Sequence, residues 1–394
     1  MLFNVKRLPD DYLRVVERID EMRLRLKFLL LQQPRRWTGL LRRSEFARAI
    51  QGSNSIEGYH VTLDDAVAAV EDEEPLIDER TEPWLAVRGY REAMTYVLQL
   101  AGDAHFAHHE AMLRSLHYMM LSYDLGKHPG RWRPGVIYVR RDPSRQIVYE
   151  GPDAALVPGL MDELVASLNA ASPLPIMVRA ALAHLNLVMI HPFSDGNGRM
   201  ARALQTLVLA REGILDPHFS SIEEYLGRNT HDYYQVLAEV GQGSWQAGRD
   251  PLPWVKFCLT AHYRQAETLL RRSQEAARLW SELEIEVKRR GLQERMMLAL
   301  HDAAFGYRVR NATYRKAADV SDAVASRDLG ILVSAGLLLA RGEKRGRFYI
   351  AGEWLKQQKA ETSLPKVASD PFTGVQVREE RKPYVAPTVT ADLS

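Results

Sequence analysis

The stretch His191-Pro192-Phe193-Ser194-Asp195-Gly196-Asn197-Gly198-Arg199-Met200-Ala201-Arg202 decides how the whole chain is read. Apolar runs with helical spacing flank it, at residues 177–190 and 200–212. It is therefore expected to be a loop that ends at a helix N-terminus. The first N–H groups of a helix lack intrahelical partners, and the positive end of the helix dipole points outward there, which favours phosphate. Gly196 and Gly198 allow a tight turn and a close approach of backbone to a ligand. Arg199 and Arg202 stand three apart, so they share a helix face and can offer planar donor forks to phosphate oxygens. Asp195 is a hard oxygen ligand suited to magnesium. His191 titrates near neutral pH and suits taking a proton from an attacking hydroxyl. Pro192 and Phe193 stop the preceding helix and anchor the loop. A capped helix end with surface charges is the plainer alternative, and for His191 alone it is the better one. It does not account for two glycines, a carboxylate and two arginines together.

The stretch matches HPFx(D/E)GNGRxxR at every specified position, and on these residues the chain resembles the Fic family. The resemblance implies a mainly α fold: a Fic helical core with a β-hairpin flap. It implies transfer of AMP from ATP to a Tyr, Ser or Thr hydroxyl of a protein, with Mg2+ as cofactor. Carried over by position, His191 is the base and Asp195 the metal ligand. Gly196, Asn197 and Gly198 form the anion-holding turn, and Arg199 and Arg202 hold phosphates. The kinase-like branch of the superfamily departs from GNGR within this loop; this chain does not.

Upstream, Ser53-Asn54-Ser55-Ile56-Glu57-Gly58 places Ser53 and Glu57 four apart on one helical face, with Gly58 as a stop. Alone it reads as an ordinary helix end with a solvated glutamate. It resembles the Fic inhibitory motif (S/T)xxxE(G/N), N-terminal to the core, and the resemblance implies that Glu57 pairs with Arg202. A carboxylate there would occupy the arginine meant for the γ-phosphate and repel the phosphate itself.

Two short β-like runs, residues 136–139 and 147–149, are joined by a polar linker containing Asp142-Pro143-Ser144 and read as a hairpin. A surface decoration is one reading. The family resemblance implies a flap that holds the target by strand addition, with Ile137, Tyr138, Val139 and Arg140 nearest ATP. It also puts Tyr234, of the pair Tyr233-Tyr234, beside the adenine pocket. Some relatives carry a base-contacting Asn seven residues further on; here that position is Gly241. His184 lies among apolar residues and reads as a core histidine.

The composition is that of an ordinary globular protein: 394 residues, 46% apolar, 26% charged, net charge +2. No global field argues for nucleic acid or membrane. The single cysteine, Cys258, excludes an intramolecular disulfide and a cysteine metal cage. No apolar run reaches the length of a membrane span, and no signal-peptide pattern opens the chain, so a cytoplasmic location is expected.

Elsewhere, helical spacing runs through residues 12–31, and a second helix is expected from Ser44 as N-cap. The expected divisions are an N-terminal helical region (1–95), a Fic core (96–260), a connector helix (261–291), a small domain (292–355) and a poorly ordered tail (356–394). Residues 292–355 resemble a winged helix-turn-helix, with helix 326–335 in the recognition position. Arg327 is its one obvious base reader, and Arg341, Lys344, Arg345 and Arg347 line the wing. DNA binding and a docking or dimerisation role weigh evenly there. The leading expectation is an autoinhibited protein adenylyltransferase acting on ATP and a protein target, itself included. The alternatives are removal of AMP from a modified protein by a Glu57-oriented water, and a DNA-binding regulator whose core senses nucleotide.

Overall fold

The computed structural model describes residues 1–394 except 76, 77, 142, 143, 145, 212, 214, 344, 345, 378–387 and 392–394. It is mainly helical. Pro34 separates α1 (Asp10–Leu31) from α2 (Arg35–Ile56). A capping box, in which Asp65 N donates to the Thr62 hydroxyl at 3.1 Å, opens α3 (Leu63–Glu71). Then come α4 (Glu82–Ala101), α5 (Glu110–Leu121), strands β1 (Ile137–Arg141) and β2 (Gln146–Glu150), α6 (Val157–Asn169), α7 (Ile176–Ile190) and α8 (Asn197–Ala210). The chain continues through α9 (Glu223–Arg228), α10 (Thr230–Gly241), β3 (Gly243–Ser244) and the 38-residue α11 (Leu252–Arg289). Last are α12 (Met297–Ala304), α13 (Asn311–Ala318), α14 (Asp322–Ser334), β4 (Leu338–Arg341), β5 (Phe348–Ala351), α15 (Glu353–Thr362) and β6 (Thr388–Ala391).

Two compact units result. The first is Met1–Leu24, Glu45–Ala266 and Ala368–Ser394; the second is Arg25–Ser44 and Glu267–Val367. In the first, α7 and α8 are the innermost helices. α7 is buried on nearly every side, which is why its sequence is apolar all round rather than striped. Leu187, Ile190, Met200 and Leu204 share one core with Ile19, Ile50 and Tyr90. The N-terminal helices thus complete the same core as residues 96–260, and no core boundary falls at residue 95. The flap belongs to a four-stranded sheet in the order β3-β2-β1-β6, with β1–β2 and β1–β6 antiparallel and β2–β3 parallel.

The second unit buries Leu279, Leu283 and Val287 of α11 against Leu298, Leu300, Leu329, Leu332 and Leu338. Asp328, on α14, accepts from Arg295 and from the Tyr314 hydroxyl. β4 and β5 form an antiparallel hairpin. Arg327 is exposed on α14. Lys344 and Arg345 lie outside the described residues.

Two expectations change. Ser44 caps nothing: α2 runs through it, because its buried hydroxyl bonds the Tyr307 hydroxyl instead of a backbone N–H. The stretch read as a tail also carries structure. It begins within α15, whose Leu355 is fully buried. Further on, the Phe372 ring lies 5.1 Å from that of Tyr12, and Arg18 Nη1 donates to Pro371 O at 3.0 Å. Isolated anchors of this kind leave no periodic pattern for a sequence reading to detect.

The approach of α2 to α9 depends on Gly52. A Cβ there would stand 2.5 Å from Glu223 O and 2.9 Å from Glu224 Cα, both backbone atoms. Gly227 faces it, with a Cβ that would meet Gly52 Cα at 2.7 Å. Gly52→Ala is therefore expected to destabilise the fold by about 1–3 kcal/mol, the usual range for overpacking, as read by denaturant unfolding. An unchanged midpoint would contradict this account of the crossing.

Candidate active site

α7 ends at His191, whose backbone is left-handed (φ 53°), and α8 starts after Gly196, also left-handed (φ 74°). The loop between them is braced from inside. Asn197 Oδ1 accepts from Phe193 N at 2.9 Å, and Asn197 Nδ2 donates to Phe193 O at 2.8 Å. Both ends of that side chain are therefore committed to the loop, and what Asn197 offers an anion is its backbone N–H. Phe193 is fully buried and stacks on His117 with ring centroids 3.7 Å apart.

His117 and Arg133 were not legible as site residues. Gly130 N donates to His117 Nδ1 at 2.8 Å, so the proton sits on Nε2, which donates to Asp195 O at 2.9 Å. Arg133, 2% exposed, donates from Nε to His191 O at 2.8 Å and from Nη2 to Pro152 O. It ties the His191 turn to the foot of the flap. No local pattern links residue 117 to 195, or 133 to 191.

Two arginines sit at the start of α8, each 1% exposed. Arg202 donates from Nε to Ser53 Oγ at 2.7 Å, and from Nη2 to Ser53 O at 3.0 Å and Glu57 Oε1 at 2.6 Å. The pairing of Glu57 with Arg202 is present in the geometry, and the Ser53 contacts, which the sequence reading did not anticipate, hold the same guanidinium. The carboxylate also lies against the helix start: a Cβ on Gly198 would meet Glu57 Oε1 at 2.3 Å. Glu57 thus sits where an anion would. Behind it, the buried Glu223 accepts from the Tyr90 hydroxyl at 2.9 Å and the Thr206 hydroxyl at 3.1 Å. Arg199 lies over the Tyr59 ring at 5.2 Å. Its Nε and Nη1, together with Arg202 Nη1 and His191 Nε2, are buried and have no hydrogen-bond partner among the described residues. Unpaired buried donors are costly and uncommon. The three arginine nitrogens make a cradle suited to an anion.

His191 has a defined tautomer. Its Nδ1 lies 2.9 Å from Val188 O, and a carbonyl can only accept, so Nδ1 carries the proton and Nε2 presents a lone pair. Burial is the main cause that lowers its pKa, to about 4, with Arg133 adding to the effect. The ring is therefore neutral at pH 7 and open to a proton.

Asp195 stays ionised. Burial works against the carboxylate, but Arg199, Lys127 and the Gly196 N–H together hold it below the usual range. Oδ1 accepts from Gly196 N at 2.7 Å, and Lys127 Nζ is 3.3 Å from Oδ2. Lys127 also donates to Glu82 at 2.6 Å and to the Tyr59 hydroxyl at 3.2 Å. Among the described residues no group of three or more His, Cys, Asp or Glu is arranged to hold a metal. One ionised carboxylate fits magnesium, which keeps waters and takes most other ligands from phosphates.

The flap strand buries Ile137 and turns Val139 toward a cluster that includes Ile56, Tyr149, Met189 and Tyr233. The Arg140 guanidinium lies 5.5 Å from the Tyr138 ring. The Tyr149 hydroxyl donates to Met189 O at 2.7 Å, anchoring the flap to the end of α7. The Tyr234 hydroxyl is 3.4 Å from Ile56 O, the residue before Glu57. Gly241 is pressed between Met189 and Tyr149, whose atoms a Cβ would meet at 3.2–3.3 Å. A larger side chain there would need these two side chains to give by a few tenths of an ångström.

Burial also lowers the pKa of His108 and His117 to about 4 and of His184 to about 3, as for His191. His184 is fully buried between Gln205 and the Tyr233 hydroxyl, as expected of a core histidine. All four stay neutral in the fold, while the unfolded chain takes up their protons below about 6.5. Their contribution to stability is therefore complete above about pH 6.5 and lost as pH falls toward 4, at up to about 1.4 kcal/mol per pH unit for each histidine. The denaturant midpoint should fall steeply between pH 7 and pH 5; a flat or rising midpoint would contradict these burials.

The helical core thus presents a loop braced at a helix start beside the β1–β2 hairpin. Residues 107–209 match the family model described as the Fic/DOC family. Over these residues the chain is similar to the Fic domain. It is 28% identical over 221 residues to the protein adenylyltransferase Fic of Nematostella vectensis, a match that covers 56% of this chain and 48% of the relative. The chain thus spans about half the length of that relative. It also resembles a crystal structure of a Fic family protein from Desulfovibrio desulfuricans G20, with TM-score 0.58 and 23% identity, covering 90% of this chain and 98% of that one. A Fic-domain signaling protein from Bacteroides thetaiotaomicron aligns with TM-score 0.53 and 21% identity, covering 65% and 96%. These two likenesses concern the fold. No helix among the described residues is long and apolar enough to cross a membrane.

Proposed function

We propose that this protein transfers AMP from ATP to a hydroxyl group of a protein and holds itself inactive through Glu57. One observation carries the reading. The Glu57 carboxylate lies 2.6 Å from Arg202 Nη2 in a cradle where, among the described residues, Arg199 Nε and Nη1 have no hydrogen-bond partner. A carboxylate held by one of two convergent arginines at a helix start is a built-in substitute for phosphate. The relatives named protein adenylyltransferase support the reaction class.

In the active state Glu57 leaves, and the triphosphate takes the helix start, with Arg199 and Arg202 on its phosphates. The target hydroxyl attacks the α-phosphorus. The new O–P bond forms as the bond to the β-phosphate oxygen breaks, and pyrophosphate leaves along the arginines. The hydroxyl proton passes to His191 Nε2, the lone pair left open by the Nδ1–Val188 bond. Arg133 and His117 position this turn without touching the reacting atoms. Magnesium, held by Asp195 together with the phosphates, would neutralise phosphate charge. Tyr234 and the flap residues Ile137, Tyr138, Val139 and Arg140 would border the nucleotide, and the flap backbone would align the target.

The test is mass spectrometry of the Glu57→Gly protein after incubation with ATP and Mg2+. The expected result is a self-adduct of one AMP, absent from the parent and from the Glu57→Gly/His191→Ala protein. If the variant gained no adduct and released no pyrophosphate, the reading would fail.

A further inference from the structure

β1 has both edges filled. One pairs with β2. The other pairs with β6, from the chain's own C-terminal end. The register is antiparallel: Ile137 opposite Ala391, Tyr138 opposite Thr390, Val139 opposite Val389 and Arg140 opposite Thr388. β2, the outer strand of the hairpin, is covered at Tyr149 and Glu150 by β3. β3 leaves the rest of β2 unpaired by it, whereas β6 forms the longer ladder and lies opposite all four residues of the flap named above.

A strand edge holds one ladder at a time, because each N–H and C=O on that side has a single partner strand. An incoming target strand would need the same backbone groups that β6 now holds. Recognition by a ladder reads backbone more than side chains, so a segment of this chain and a segment of another protein are equivalent ligands for it. Belonging to the same chain, β6 meets the edge at high effective concentration. Its ladder is four residues long, short enough to be exchanged.

We propose that residues 388–391 are a tethered competitor for the protein target: they fill the flap edge in cis, and an extended target segment docks only when they leave. This rests on the reading of the flap as the target-binding edge. It adds a second inhibitory contact, on the polypeptide substrate, to that of Glu57 on the nucleotide. The two are separable, because Glu57 sits at the start of α8 and β6 sits on the outer edge of β1.

The test uses a fluorescent peptide with the sequence of residues 386–394 and a chain ending at Val377, compared with the full chain. The shortened chain should bind the peptide at least tenfold more tightly than the full chain. A peptide with proline at the position of Val389 should lose that binding, since proline removes a ladder donor. Equal binding to both chains, or none to the shortened one, overturns the proposal. In case the shortened chain folds poorly, the full-length Val389→Pro/Thr390→Pro protein is examined by amide hydrogen exchange. The β1 amides facing β6 should exchange at least tenfold faster while α7 and α8 stay protected; unchanged β1 exchange overturns the proposal. Both measurements omit ATP. A Glu57→Gly protein that fails to transfer AMP would therefore sink the transferase reading and leave these results standing, and the reverse also holds.

Discussion

Glu57→Gly is expected to raise AMP transfer from labelled ATP by on the order of ten- to a hundredfold over the parent. The physical cause is competition for one cradle. Glu57 Oε1 holds Arg202 at 2.6 Å and lies against Gly198 at the start of α8. A triphosphate entering there loses an arginine and meets a like charge. Two unit charges at about 4 Å interact by about 4 kcal/mol at an effective dielectric of about 20. Glu57 is partly exposed, so solvent and salt reduce that figure, and each 1.4 kcal/mol corresponds to about tenfold. Glu57→Gln separates charge from shape: it keeps the size of the side chain and removes the repulsion, so it should recover much of the gain. The cost to the fold should be small, because Ser53 still holds Arg202 through Oγ and O. The measurement is transfer of label onto protein at fixed ATP and Mg2+. Glycine and glutamine variants as slow as the parent would remove the inhibitory role from Glu57.

His191→Ala, made in the Glu57→Gly protein, should lower the transfer rate by about a hundred- to ten-thousand-fold, the usual cost of removing a general base. Nucleotide binding should change little, since the phosphates rest on the arginines and the α8 backbone. That split between rate and affinity distinguishes loss of a base from loss of the site. The backbone at His191 is left-handed, at φ 53°, which disfavours alanine. His191→Asn tolerates that conformation and is the cleaner companion variant. If both proteins transferred AMP like their Glu57→Gly parent, the base would have to be sought elsewhere. If both also lost nucleotide affinity, the turn itself would have collapsed, and the structural part of His191, its Nδ1 bond to Val188 O, would be the cause.

Much of the site was legible because its chemistry is local. His191, Asp195 and Gly196 fall in one loop and Asn197, Gly198, Arg199 and Arg202 in the first turns of one helix, so the spacing of the two arginines predicts that they share a face. Ser53 and Glu57, one helical turn apart, read alone as an ordinary helix end; only the resemblance to the inhibitory motif singled them out. The hairpin at residues 137–150 could be read from two β-rich runs. The residues that brace these groups were not. His117 and Arg133 reach the signature loop from 78 and 58 positions away, and Glu223 closes the network behind Arg202 from a helix of its own. Gly52 carries no local feature that sets it apart, and its need to be glycine comes only from the backbone of α9 packed against it. Ser44 had the chemistry of a helix cap but found its partner in Tyr307.

What the sequence determined by itself is what depends on neighbours along the chain: helix starts and stops, which residues share a face, and a turn of glycines that an anion can approach. What only the tertiary structure decided is what depends on distant segments meeting. Examples are the carboxylate of Glu57 filling the cradle, the tautomer of His191, the tight packing around Gly241, and the C-terminal strand lying on the flap. The physical reason is that local preference acts through a few bonds, whereas long-range partners are selected by how the whole core packs. That packing leaves no period or motif in the residues it joins.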